Sequence, residues 1–210
     1  MGSDAGGRGA AVKRAGTAGT KGVPRAEREA QILDVAAAEI ARVGYAGLSP
    51  AVVAAGAGVS KPLVYGYFGS KDGLYVACVE RAAGVLGDAI DEAITGTASL
   101  AMAERTLAAI FTALEPRPSD WKVVHDQTYP AEGPAAEAVR AARARIDAQT
   151  DQGVGAFVAG HGLTDPRDLS ALIAVWTGLV AALVDWWLNH PDETAEAMIA
   201  RSARLFAAVL

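Results

Sequence analysis

From residue 25 onward, apolar residues recur every three or four positions, the period of an α-helix that buries one face. Ile32, Ala36 and Ile40 form the first such stripe. Similar stretches, separated by glycine, proline or serine, follow to the end of the chain and predict an all-α protein. The predicted helices span about 25–43, 50–55, 61–68, 71–94, 99–114, 121–127, 134–159, 165–189 and 191–210.

The breaks between the first three predicted helices consist of residues that start or end helices. Gly44 suits a left-handed helix end, and Ser49 followed by Pro50 suits a helix start. Gly58 permits a sharp turn before Ser60, the expected N-cap of a short third helix. A helix, a short helix, a glycine turn and another short helix make the helix–turn–helix arrangement.

The third helix carries the strongest candidates for chemistry. If Val64 and Phe68 face the core, the residues around them lie on the outer face or its edges. Lysine and tyrosine side chains donate to phosphate oxygens, and lysine also reads guanine. Free N–H groups at the start of the fourth helix attract phosphate as well. The predicted DNA contacts are Ser49, Ser60, Lys61, Pro62, Leu63, Tyr65, Tyr67 and Lys71; the alternative is a solvated face with aromatic packing.

The charge of the chain is unevenly distributed. Residues 1–75 hold nine Lys/Arg and six Asp/Glu, a balance of +3, whereas residues 76–210 hold ten and eighteen, a balance of −8. This asymmetry predicts a local surface for a polyanion on an otherwise acidic protein. Residues 1–23 are rich in glycine and alanine with four basic residues, which indicates a disordered basic arm; a passive tail or an expression-tag remnant remains the alternative.

Other features bear on compartment and cofactors. The lone Cys78 excludes an internal disulfide and suits a reducing compartment, and the start of the chain lacks a signal-peptide pattern, so we expect a cytoplasmic protein. The apolar run 171–184 fits a buried helix better than a membrane span. The three histidines, His125, His161 and His190, are too scattered for a metal site, and we predict neither a metal nor a cofactor.

A segment from Arg28 to Tyr75 resembles the DNA-binding domain of the TetR (tetracycline-repressor-like) family. The matching residues are Ile32-Leu33, Ala36, Gly44-Tyr45, Val53-Ala54, Ala57-Gly58-Val59-Ser60, Val64-Tyr65, Tyr67-Phe68 and Ser70-Lys71-Asp72-Gly73-Leu74. The resemblance implies a helix–turn–helix DNA-binding domain over residues 24–75 and a helical ligand-binding and dimerisation domain over residues 76–210. It also implies a homodimer with a four-helix interface built from the last two helices.

The second half of the chain concentrates aromatic, titratable and acidic residues around one short predicted helix. Such groups can form a pocket with apolar walls and a few polar groups that orient a small apolar or amphipathic ligand. The alternative is an ordinary core whose polar residues are capped or solvated. The candidate ligand-binding residues are Phe111, Trp121, His125, Asp126, Tyr129, Phe157, Trp176 and Asp185.

Together these features predict a DNA-binding transcriptional regulator rather than an enzyme. We expect a repressor that binds a palindromic operator in double-stranded DNA as a homodimer and is released by a small-molecule ligand, with no membrane partner. A helical small-molecule-binding or enzymatic bundle with a vestigial DNA-binding domain is the alternative. A non-specific DNA-compacting protein is a third possibility, which the acidic remainder of the chain disfavours.

Overall fold

A computed structural model of the protein describes residues 22–209, and every regular element in that range is an α-helix, as the sequence predicts. Residues 1–21, which hold most of the predicted basic arm, and Leu210 lie outside the described residues. The helices are α1 (Arg25–Gly47), α2 (Pro50–Gly56), α3 (Lys61–Phe68), α4 (Lys71–Ala93), α5 (Leu100–Leu114), α6 (Ser119–Val124), α7 (Pro134–Gly160), α8 (Pro166–Leu188) and α9 (Ala195–Val209).

Helices α1–α3, called here the head, pack around a small apolar core. Ile32, Ala36 and Ile40 of α1 are buried, at the spacing that the sequence pattern predicts. Val53 of α2 and Val64 of α3 are buried in the same cluster. Because this core uses only one side of the short helix α3, its other side is left for the surface.

The connection between α2 and α3 is the predicted glycine turn. Gly58 has φ +64°, a left-handed conformation that favours glycine. The Val59 N–H donates to the Ala54 carbonyl at 2.9 Å, which closes the turn. The Ser60 hydroxyl then accepts from the Leu63 N–H at 3.4 Å and caps α3. The helix–turn–helix prediction is confirmed in α2 and α3.

Helix α4 is the central helix of the molecule. It contacts α1 and α3 near its start and α5, α6 and α7 along its length. Leu74, Tyr75, Cys78, Val79 and Ala82 are completely buried on its inner faces. Burial raises the pKa of the Cys78 thiol to about 12, so the thiol is protonated at neutral pH and acts as a packing group. Helices α4–α9 are called the body below.

Three helices have bounds that clearly differ from the sequence prediction. Helix α1 resumes after the predicted stop at Gly44, where φ is +67°, and ends at Gly47. Helix α9 begins at Ala195, not at Pro191, because the chain first forms a turn in which the Trp187 indole N–H donates to the Glu193 carbonyl at 2.8 Å. The Thr194 hydroxyl then accepts from the Ala197 N–H at 3.1 Å, as an N-cap does. Helix α6 runs over Ser119–Val124, so its predicted end at residue 127 is also wrong.

Helix α8, which contains the apolar run 171–184, is only partly covered by its own chain. Only Val180, Val184 and Trp187 of this helix are buried, and Val175 is 62% exposed. Among the described residues, α8 is the one helix that is long and apolar enough to cross a membrane, and 11% of its apolar window is buried. A single chain therefore leaves a long apolar face uncovered.

Candidate DNA interface and ligand region

The outer face of α3 presents polar and aromatic side chains to solvent. Lys61, Pro62 and Tyr65 are exposed, and Leu63 is half-buried at the edge of the face. The Lys61 ammonium group lies 5.6 Å from the centroid of the Tyr65 ring. This placement matches the predicted outer face, and the two side chains together offer an ammonium group and a phenol to a DNA groove.

Helix α1 adds a basic residue beside this face that the sequence analysis missed. The Arg25 guanidinium group lies over the ring of Tyr67, 5.2 Å from its centroid. Arg25 is exposed at the first turn of α1, whereas Tyr67 is half-buried and packs against the core. The sequence places Arg25 after Pro24 at a predicted helix start, so its exposed position could have been predicted. Its contact with Tyr67, 42 positions later, could not.

Ser49 and Lys71, two of the predicted DNA contacts, lie at helix starts with different surroundings. Ser49 is the N-cap of α2 without a side-chain cap hydrogen bond, whereas Ser70 accepts from the Gly73 N–H at 2.9 Å. The Lys71 ammonium group donates to the Ala46 carbonyl at 3.2 Å and lies 4.4 Å from the centroid of the Tyr45 ring. Lys71 therefore has an intramolecular role in holding α4 against α1.

Several predicted ligand residues in the body pack against one another. Trp121 is buried, and its indole N–H donates to the Asp185 carboxylate at 3.1 Å, which ties α6 to α8. The His125 ring packs against Trp121 at a tilt of 36°, with centroids 4.0 Å apart. Phe111 is completely buried and meets the edge of Trp187, with centroids 5.4 Å apart. Phe111 and Trp121 are therefore core residues, whereas His125 is exposed and Asp185 is only half-buried.

The other candidates lie elsewhere in the body. Tyr129 accepts from the Arg143 guanidinium group at 3.3 Å. Phe157 stacks on His161 near the end of α7, and Trp176 lies half-buried on α8. A groove of about 350 Å³ between α5 and α9 is lined by none of the eight predicted ligand residues. Its lining is Ala101, Glu104, Arg105, Leu107, Ala108, Ile199, Ser202, Ala203 and Phe206.

The Asp126 carboxylate accepts hydrogen bonds from three donors within the protein. They are the Tyr45 N–H at 2.8 Å, the Tyr75 hydroxyl at 3.0 Å and the Thr128 N–H at 2.9 Å. Burial, with the nearby Asp126 carboxylate, raises the pKa of the Tyr75 hydroxyl well above its ordinary value, so that hydroxyl stays a donor. The structure thus gives this buried carboxylate partners other than a ligand.

The sequence of the chain is similar to those of known regulators. The sequence model described as "Bacterial regulatory proteins, tetR family" matches residues 32–78, which include most of the head and the start of α4. The HTH-type transcriptional activator FasR of Mycolicibacterium smegmatis is 31% identical over 172 residues, which cover 80% of this chain and 75% of that protein.

The fold is also similar to solved structures. The regulator FadR of Bacillus subtilis, solved in complex with stearoyl-CoA, has a TM-score of 0.63 and 18% identity, with 83% of this chain and 94% of that chain covered. AibR, solved with isovaleryl coenzyme A and operator DNA, has a TM-score of 0.67 and 17% identity, with 84% and 96% covered. At these identities the likeness concerns the fold alone.

Proposed function

This chain belongs to the TetR family of bacterial regulatory proteins, and we propose that it binds a palindromic operator as a homodimer and responds to a small ligand. It is a transcriptional regulator with a helix–turn–helix. The observation that carries the DNA-binding mode is the outer face of α3, where Lys61 and Tyr65 are exposed on a helix that the head core holds from behind. In a helix–turn–helix, the second helix enters the major groove and its first residues contact base edges.

Lys61 has the position expected of a base-reading residue, and Arg25 and Tyr67 have the position of phosphate-contacting groups. Lys61 is the first residue of α3, whereas the Arg25–Tyr67 pair lies beside the outer face, where we expect the DNA backbone to pass. Ser49, Ser60, Pro62, Leu63 and Lys71 remain proposed contacts at the rim of the same surface.

Replacement of Lys61 tests this mode. The operator is first obtained from genomic fragments that the protein retains in the presence of excess random DNA. Lys61→Ala is expected to weaken operator binding by about 1–3 kcal/mol more than random-DNA binding, because a bidentate base contact discriminates by that amount. Lys122→Ala, which removes an exposed lysine of the body, is the matched control and leaves both affinities unchanged. Equal losses on both DNAs for Lys61→Ala would make Lys61 a backbone contact.

The uncovered face of α8 supports the homodimer. Val175 and Trp186 are exposed on α8, and Leu205 is exposed on α9. A large exposed apolar face is expected to bind a partner. A second copy related by a two-fold axis supplies a matching surface. We place the dimer interface on the last two helices, and a soluble, cytoplasmic dimer accounts for the apolar character of α8 without a membrane.

For the ligand, we propose an acyl thioester of coenzyme A or a similar amphipathic molecule. Two solved neighbours in fold contain stearoyl-CoA and isovaleryl coenzyme A, and the body of this chain is rich in apolar side chains; both observations support this ligand class. Stearoyl-CoA and isovaleryl-CoA, with free coenzyme A as the control, are the probes. We expect an acyl-CoA to lower operator affinity, and no change with either probe would contradict this ligand class.

The predicted repressor role is part of this proposal. Release from the operator lowers or raises transcription according to where the operator lies relative to the promoter, and the relative FasR is named an activator. A reporter fused to the regulated promoter, compared with and without the gene for this protein, shows whether the protein represses or activates transcription. The body binds the ligand in this mode and does not convert it; turnover of an acyl-CoA by the purified protein would instead support the enzymatic alternative.

A further inference from the structure

The head and the body meet at the end of α1, where the chain bends sharply. Gly44 has φ +67° and ψ 180°, after which one more helical turn runs to Gly47. The bend leaves the N–H groups of Tyr45 and Ala46 without partners in the preceding turn of α1. Both of them donate to side chains from the loop after α6, more than 80 positions later: Tyr45 to Asp126 at 2.8 Å and Ala46 to Thr128 at 3.1 Å.

The loop that supplies these acceptors is itself fixed to the body. The Asp126 carboxylate also accepts from the Tyr75 hydroxyl of α4 at 3.0 Å, and its carbonyl accepts from Arg143 of α7 at 2.9 Å. Its other carboxylate oxygen accepts from the Thr128 N–H at 2.9 Å, which orients Thr128 toward Ala46. Asp126 and Thr128 are together called the latch.

The fit of the latch against α1 is close. A Cβ atom at Gly44 would lie 2.2 Å from the Thr128 hydroxyl oxygen and 3.0 Å from an Asp126 carboxylate oxygen. Only a glycine lets the Thr128 and Asp126 side chains approach the backbone of α1 this closely. The Tyr45 ring, on the other side of the bend, packs edge-on against Tyr75 with centroids 5.0 Å apart, and its hydroxyl donates to Asp72 at 2.5 Å.

We propose that Asp126 and Thr128 are positioning residues for DNA binding, which fix the angle of the head on the body so that both heads of a dimer reach their half-sites together. The inference rests on the proposed function, because only a two-headed protein needs a fixed angle. Without the latch the head samples more orientations, and the apparent affinity falls in proportion to the fraction of time that both heads are aligned. A single head on a single half-site needs no such alignment.

The head stays attached when the latch is weakened. Arg81 of α4 donates to Asp34 of α1 at 2.6 Å and to the buried Asp120 of α6 at 3.2 Å, and this ion-paired contact between head and body does not involve the loop after α6. The packing of α1 against α4 and α6 also remains. Removal of one latch hydrogen bond is therefore expected to change the head angle and not the fold.

The test compares two DNA duplexes, one with both half-sites of the operator and one with a single half-site. Thr128→Val keeps the shape of the side chain and removes its hydroxyl. We expect it to weaken binding to the two-site duplex by about 3- to 10-fold, the range for one net hydrogen bond, and to leave single-site binding unchanged. Thr128→Ser keeps the hydroxyl and restores wild-type binding, and Gln127→Ala, in the same loop, is the matched control.

Asp126→Asn provides a second, independent variant with the same expected pattern, since an amide cannot accept at both of its heavy atoms. Wild-type affinity of Thr128→Val for the two-site duplex would overturn the proposal. An equal loss on both duplexes would overturn it too, because it would indicate a damaged head. If the wild-type protein binds the two duplexes equally, the two-headed mode is wrong and the role of the latch is lost with it.

Discussion

Gly44 is the residue whose side chain the fold constrains most tightly at the junction of head and body. Its φ of +67° with ψ of 180° lies in a region that is essentially restricted to glycine. The facing atoms of Thr128 leave no room for a Cβ. The backbone conformation and the lack of space therefore both exclude a side chain at position 44. Both follow from the close approach of the loop after α6.

Gly44→Ala is expected to lower the free energy of unfolding by about 1–3 kcal/mol, the usual cost of a side chain in such a backbone conformation. Gly66→Ala is the control, because a Cβ there meets no atom within 4 Å and Gly66 lies inside α3. Alanine at that helical site is expected to be neutral or to stabilise by up to about 1 kcal/mol. Urea unfolding followed by circular dichroism measures both, and equal losses would contradict the constraint at Gly44.

Which residues act at the surface was only partly predictable from the sequence. The outward position of Lys61 and Tyr65 follows from the helical period, since Val64 takes the inner face. Asp126, by contrast, has donors at Tyr45 and Tyr75, and no local pattern connects positions 81 and 51 residues apart. Its acidic character suggested a ligand contact, but the direction of a side chain depends on tertiary packing.

For the helices, the N-cap residues explain why most helix starts could be predicted from the sequence. Ser60, Ser70 and Ser99 each precede a helix, and each hydroxyl accepts from a backbone N–H three residues later. Ser49 has the same sequence context but makes no such bond. A serine before a helix therefore predicts the start well and the cap hydrogen bond less well.

Ser70→Ala is expected to destabilise the protein by about 0.5–2 kcal/mol, because the Gly73 N–H at the start of α4 loses its acceptor. Ser49→Ala, in the matched position of α2, is expected to cost much less, since no cap bond is present to lose. Thermal or urea unfolding of the two variants gives the comparison. A larger loss for Ser49→Ala would show that the cap bond at Ser70 adds little.

The start of α9 shows where local signals fail for an element. Proline and aspartate at positions 191 and 192 favour a helix start, but the helix begins at Ala195. The intervening residues instead form a turn whose Glu193 carbonyl accepts from the Trp187 indole. That contact depends on the end of α8 and is not encoded in the residues of the turn.

For the whole molecule, the uncovered face of α8 is the feature that a single chain does not explain. The sequence pattern showed that α8 is apolar nearly all round, and periodicity alone could not tell whether its own chain or a second one covers it. In the structure its own chain covers little of it. In the proposed homodimer, a second copy supplies the part of the core that the chain lacks.

Val175→Asp is expected to convert the protein to a folded monomer, because a carboxylate would be buried without a partner in the proposed interface while Val175 is 62% exposed in the single chain. Sedimentation velocity measures the change in mass. Ala141→Asp, on an exposed position of α7, is the control and leaves the mass unchanged. A Val175→Asp protein that sediments like the wild type would place the interface elsewhere.

A dimer whose two heads bind a palindromic operator protects the DNA from cleavage in a symmetric pattern. Hydroxyl-radical footprinting of the wild-type protein, on the genomic fragment that it retains, measures this pattern. Two symmetric protected patches are expected, with their centres about 34–36 Å, or 10–10.5 base pairs, apart, so that each α3 occupies a major groove. One asymmetric patch, bound with full affinity, would contradict the paired arrangement of the heads.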